Sequence, residues 1–133
     1  MSGATTTINF LTYWADSMRY LSGDIIHINF PMDEGDGPHG QARFKARPVL
    51  AITDADANGT FVTVAVSSKG QHQHTLELTA TDLAQGRLRE RSYVRVDKMY
   101  TVNALAVQAK VGVAKPDLLL RVRKLLCPAL GCK

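Results

Sequence analysis

The chain has 133 residues, with 16 Lys and Arg against 12 Asp and Glu, a formal charge of +4. That length fits one domain able to bury about two thirds of its surface without staples, and no apolar run approaches the ~20 residues that a membrane helix needs. The first residues lack the basic start, apolar core and small-residue cleavage site of a secretory signal, so the expected location is the cytoplasm. In that reducing compartment Cys127 and Cys132, without neighbouring His or Cys clusters, read as two spare thiols and not as zinc ligands.

In chain order, Phe10, Leu11, Trp14, Met18 and Leu21 recur at three- and four-residue intervals and predict an amphipathic helix over Thr7 to Leu21. Gly23 to Phe30 follows as a strand, with His27 in a structural role, and Pro31 ends it by removing a ladder donor. The loop from Met32 to Ala46 holds three glycines and Pro38. It also carries His39, Arg43 and Lys45. Its acidic cluster Asp33, Glu34 and Asp36 lacks the spacing of a calcium loop. His39 is a candidate general base, because an imidazole titrates near neutral pH.

Arg47-Pro48 opens an almost wholly apolar strand over Arg47 to Asp54. Asn58-Gly59 then turns the chain back into a strand over Phe61 to Ser67. Pairing across that turn predicts Arg47 opposite Ser67 or Ser68. One hairpin end would thus present an arginine, two hydroxyls, Lys69 and the permissive Gly70, a cradle suited to a phosphate. His72 and His74 are expected on one strand face but have no third ligand at metal-site spacing, so no metal or other cofactor is expected. Thr81 to Gly86 reads as a short turn of helix. The pattern of Ser92 to Asp97 places Val94 and Val96 inward and Tyr93, Arg95 and Asp97 outward. Arg87, Arg89, Arg91, Arg95 and Lys98 make this segment basic, which suits a polyanionic partner. Pro116 and Asp117 start a final helix that Cys127-Pro128 stops.

The order Gly23-Asp24-Ile25, apolar strand, Gly-rich loop, Arg47-Pro48, Arg95-Val96-Asp97, Lys110-Val111-Gly112 and a Pro116-led helix resembles the PemK/MazF family of bacterial toxins over about Gly23 to Leu126. The resemblance implies a mainly β (α+β) fold, the small SH3-like barrel of the PemK/MazF/CcdB type with a C-terminal helix. Residues 23–133 would form the toxin domain and residues 1–22 an N-terminal helical extension.

It also implies a metal-independent, sequence-specific endoribonuclease of a type II toxin–antitoxin system. Such an enzyme cuts single-stranded RNA through the RNA's own 2′-hydroxyl, leaving a cyclic phosphate and a 5′-hydroxyl, and so inhibits translation and growth. Implied partners are RNA, a second copy of the chain in a homodimer, and a cognate antitoxin through whose complex DNA is contacted. That chemistry needs a base, an acid and positive charge at the phosphorane. The family pattern assigns Arg47 to transition-state charge and the acid role, Ser68 to the phosphate, Arg95 to added charge, and Asp97 to the base role with His39 as competitor. Arg43, Lys45, Ser67, Lys69 and Arg91 are the expected RNA contacts.

Two rivals keep the fold and discard the ribonuclease. One is a gyrase poison of the CcdB type, whose C-terminal Trp-Gly-Ile is replaced here by Gly131-Cys132-Lys133. The other is a non-catalytic SH3-like nucleic-acid-binding module, for which Tyr93 and Tyr100 are the only stacking aromatics near the basic segment.

Overall fold

The computed structural model describes residues 19–31, 44–70, 73–88 and 90–132. Seven strands form one antiparallel sheet: β1 (Asp24–Pro31), β2 (Phe44–Ala51), β3 (Thr60–Ser67), β4 (Thr75–Leu78), β5 (Leu83–Gly86), β6 (Ser92–Asn103) and β7 (Val107–Ala114). Their order across the sheet is β4-β6-β3-β2-β1-β7-β5. The helix α1 (Pro116–Ala129) packs on one face, and the strongly curved sheet wraps around it as a half-barrel.

The apolar runs in the sequence arise because the central strands bury both faces. Ile25, Leu50, Val64, Val66, Val94 and Val96 point toward α1 and meet Leu118, Leu119 and Val122. Ile26, Ile28, Val49, Ala51, Phe61 and Val102 form a second cluster on the opposite face. Tyr20 covers part of it by stacking on Phe61 with ring centroids 5.5 Å apart. Strands buried on both sides read as continuous apolar runs, whereas β6, half-exposed on one face, keeps its alternation.

The expected β2–β3 hairpin is present, and Gly59 takes φ 79° at its turn. Asp56 accepts the backbone N–H groups of Asn58 and Thr60 and closes the loop. Val49 pairs with Ala65, Leu50 with Val64 and Ala51 with Thr63. Extending that register brings Arg47 level with Ser67, as the sequence predicts. β2 starts earlier than expected, at Phe44, because Phe44 to Ala46 pair with Pro31, Phe30 and Asn29 of β1. A partner 13 to 17 residues back in the chain, and not local propensity, recruits those residues.

Other expectations are corrected. The predicted helix over Thr7 to Leu21 lies outside the described residues except for 19–21, which are not helical. Their backbone is engaged elsewhere: Ala55 N–H donates to the Tyr20 carbonyl, and Leu21 N–H donates to the Asp24 carboxylate. His74 is in a turn with φ 57°, so β4 begins only at Thr75 and His74 does not stand on a strand face; His72 lies outside the described residues. In place of the expected helix, Ala80–Asp82 is a single 3-10 turn, and the chain then extends into β5. The strand expected over Ser92 to Asp97 runs on to Asn103 as β6, with a bulge where its pairing to β3 steps from Arg95 to Met99.

α1 begins as expected with Pro116 in its first turn and Asp117 at its positive end. Arg121 ties it to the 3-10 turn through Asp82 at 2.6 Å and pairs with Asp117 at 3.4 Å. Pro128 does not stop the helix but sits in its last turn. The helix ends where Gly131 takes φ 80°. Gly131 N–H then donates to the Pro128 carbonyl, and Cys132 N–H to the Cys127 carbonyl. That C-cap geometry brings the residues at its two ends into side-chain contact. Here both are cysteines, so Cys127 and Cys132 are disulfide-bonded and not spare.

Candidate cationic site at the parting of two strands

Hydrogen bonding between β2 and β3 ends at Val49 and Ala65, while β2 continues beside β1 and β3 continues beside β6. The two strands part, and Arg47 and Ser67 stand on either side of the opening. Lys45, two residues from Arg47, projects from the same face, and both are exposed.

The row continues across the sheet. Ser67 pairs with Tyr93, and Tyr93 pairs with Glu77 of β4. One row further on, Ala65 pairs with Arg95 and Arg95 with Thr75. Paired residues of antiparallel strands share a face. The outward side of the sheet therefore carries Arg47, Ser67, Tyr93, Arg95 and Asp97 together.

Beyond β3 the chain turns sharply. Lys69 N–H donates to the Ser67 hydroxyl at 3.0 Å, which fixes Ser68 and Lys69 at the exposed tip of the turn. Gly70 is needed here for its lack of a side chain: a Cβ would lie 2.6 Å from Cε1 of Tyr93. Thr75 Oγ1 donates to the Gly70 carbonyl at 3.4 Å. The Tyr93 ring thus acts as the floor on which the serine turn rests. This role was not read from the sequence, because it depends on the pairing of Ser67 with Tyr93.

Arg95 and Asp97 form a two-pronged pair. Arg95 Nε donates to Asp97 Oδ1 at 3.1 Å, and a terminal guanidinium nitrogen donates to Oδ2 at 2.7 Å. The Arg95 side chain is only 15% exposed and Asp97 33%, so this is a partly desolvated, geometrically fixed pair and not a loose surface contact. Arg91 lies further along, 3.7 Å from Glu77. Its hydrogen bond to Tyr93, their electrostatic attraction and then Glu77 raise its already high pKa.

The structure therefore brings Arg47, Lys45, Ser67, Ser68, Lys69, Arg91, Arg95 and Asp97 onto one side of the molecule. His39 and Arg43 lie outside the described residues. Among the described residues, no three His, Cys, Asp or Glu side chains converge, and no helix is long and apolar enough to cross a membrane.

This is a small curled-sheet protein with a closing helix and a cationic outer face on which Arg95 holds the Asp97 carboxylate. The family model described as PemK-like, MazF-like toxin of type II toxin-antitoxin system matches residues 21–130, and the chain belongs to that family. Among solved structures it is similar to MazE-MazF (Form-III) from Deinococcus radiodurans, with 21% identity over 86% of this chain and 98% of that chain and a TM-score of 0.63. An endoribonuclease from a Mycobacterial species gives 16% identity over 85% of this chain and 92% of that chain, with a TM-score of 0.61. A Mycobacterial endoribonuclease in complex with its cognate antitoxin gives 18% identity, 86% and 97% coverage and a TM-score of 0.61. No curated protein matches the chain.

Proposed function

We propose that this toxin is an endoribonuclease that cuts single-stranded RNA by internal attack of a 2′-hydroxyl. The observation that carries the reading is the fixed Arg95–Asp97 pair on the face that also presents Arg47 and the Ser67–Lys69 turn. A carboxylate oxygen has two lone pairs, so Asp97 can hold Arg95 and still accept a proton. Its role is to take the 2′ proton as the oxygen attacks phosphorus. The P–O5′ bond breaks, leaving a 2′,3′-cyclic phosphate and a 5′-hydroxyl.

Arg47 supplies charge to the phosphorane oxygens. Arg47 also fills the acid role at the departing 5′ oxygen, and His39 competes with Asp97 as the base. Ser68 donates its hydroxyl to a phosphate oxygen, and Arg95 adds charge while orienting the base. Lys45, Arg43, Lys69 and Arg91 steer and hold the RNA backbone, with Ser67 shaping the turn.

The solved relatives named as a complex with a cognate antitoxin and as MazE-MazF support an acidic antitoxin as partner, for which the same cationic face is suited. The active unit is a homodimer in the cytoplasm, with residues 23–133 as the toxin domain and residues 1–22 an extension to it.

Purified protein incubated in EDTA with a long single-stranded RNA, beside Arg47→Ala, tests this. Discrete cuts with 5′-hydroxyl ends, lost in the variant, are expected. An intact RNA from folded, antitoxin-free protein overturns the reading.

A further inference from the structure

Where the outward row ends at Glu77, the surface opens into a cavity of about 320 Å³, within the range of small-ligand pockets, ~300 to 1,000 Å³. It lies between β4 and the segment that joins β5 to β6. Leu78, Leu83 and Leu88 give it an apolar floor, and Arg87, Glu90 and Arg91 stand with Glu77 around it. Leu78 is buried, while Leu83 and Leu88 pack against the core beneath α1, so the floor is rigid.

The charges select among ligands. Two arginines face two glutamates, so a bare phosphate meets as much repulsion as attraction. Glu77 is paired with Arg91 at 3.7 Å. Among the described residues, Arg87 and Glu90 have no ion-pair partner. A neutral, flat ligand fits such a site when one edge accepts from a guanidinium and another donates to a carboxylate. Guanine offers both: O6 and N7 accept from arginine, and its adjacent N1–H and N2–H₂ groups can both donate to one carboxylate. Adenine and cytosine lack the paired donors, and uracil lacks an adjacent pair of acceptors.

The cavity is joined to the serine turn. Ser67, Tyr93 and Glu77 are successive pairs across neighbouring strands, which places Glu77 about 10 Å from Ser67 at the usual strand spacing. Arg91 links the two regions, because it is paired with Glu77, which is itself the cross-strand partner of Tyr93. The geometry points to a guanine-reading subsite, built from Leu88, Arg87 and Glu90, that fixes which base stands at a set distance from the RNA bond being cut. This inference rests on the ribonuclease reading for its substrate, although the pocket itself is defined independently.

The test uses a single-stranded RNA pool with a randomised window. Both the cut ends and the RNA retained on the protein are sequenced, so base preference is read from cleavage and from binding. Guanine is expected at one fixed offset. Replacing that guanosine with inosine, which lacks the N2 amino group, should weaken cleavage and retention roughly tenfold, the scale of one lost two-pronged base contact. Glu90→Gln should bring the guanosine-to-inosine ratio close to one. Arg87→Ala should do the same for the ratio of guanosine to 7-deazaguanosine. A purely structural role for either residue lowers both substrates equally and leaves the ratios unchanged, which overturns the proposal, as does cutting without guanine at a fixed offset. RNA retained with the guanine preference but left whole sinks the ribonuclease reading and leaves the pocket standing. Neither cutting nor preference sinks both.

Discussion

Gly70→Ala adds one methyl group beneath the serine turn. Gly70 is not among the residues of positive φ, so alanine fits its backbone and the perturbation is steric alone. The new Cβ would sit 2.6 Å from Cε1, 2.7 Å from Cζ and 2.9 Å from Cδ1 of Tyr93. Ordinary contact begins near 3.5 Å, so ring and turn must separate by about 1 Å. Tyr93 is held by its two neighbouring strands, and the turn by Thr75, so the strain is shared and the turn moves.

Overpacking of this kind costs about 1 to 2 kcal/mol of stability, too little to unfold a domain of ordinary stability. A misplacement of 1 Å at a reacting group can cost about a hundredfold in rate, so cleavage should fall far more than stability. Chemical denaturation and initial cleavage rates measured together on Gly70→Ala, Tyr93→Leu and the double variant decide the matter. The methyl should do less harm once the ring is gone. A Gly70→Ala protein that cuts RNA at the wild-type rate refutes the argument, and so does a loss of the same size in the Tyr93→Leu background.

Asp97→Asn keeps the shape of the Arg95 partner but removes the charge and the proton acceptor. The RNA cleavage rate should fall by about a hundredfold or more, with a loss of about 1 to 3 kcal/mol in unfolding free energy from the weakened pair to Arg95. Gly86→Ala should damage the fold itself, by about 3 kcal/mol or more: Gly86 has φ 79° and its Cβ would collide with the Val111 carbonyl, a strain that a lowered thermal midpoint would report. Asp82 supplies the pH-dependent case. Burial raises its pKa, but hydrogen bonds from the Thr79 backbone and side chain, then Arg121, outweigh it and leave the pKa below the ordinary 3.8. A lowered folded-state pKa stabilises the protein at pH above 3.8, and that contribution is lost as the pH falls further, through the folded value. The difference in melting temperature between wild type and Asp82→Asn should therefore be full at neutral pH and shrink below about pH 4.

Legibility in the sequence followed the range of the interactions. The β2–β3 hairpin was readable because Asn58-Gly59 marks its turn, and its register, with Val49 opposite Ala65, sets Arg47 and Ser67 just beyond the last pair on either side of the opening. Val94 and Val96 gave the core face of β6 by alternation alone, and Pro116 with Asp117 marked the start of α1. The early start of β2 depends on β1 across a connection that carries no signal of its own. His74 lies in the left-handed region, where its side chain gives no warning. The pairing of Cys127 with Cys132 depends on how the chain reverses at Gly131. Tyr93 under Gly70, and Arg87 with Glu90 around Leu88, exist only after β4 and β6 are aligned.

The placement of the candidate site follows from the same sheet. Two strands that stay paired along their whole length leave no gap for a ligand, and two that never pair cannot hold side chains at fixed separation. β2 and β3 are locked from Val49 to Ala51 against Thr63 to Ala65, all buried except the half-buried Ala65, and only then diverge. Arg47 is thus two residues from a rigid anchor, and Ser67 two residues from the other side of it. Loops beyond the opening can change in sequence without disturbing Leu50, Val64 or Leu118. A substitution such as Leu118→Ala, which should cost about 2 to 5 kcal/mol in stability, is therefore expected to leave the cleavage rate per folded molecule and the base preference intact. A shift in preference with that variant would mean that core and site are mechanically coupled, contrary to the role assigned to the locked segment.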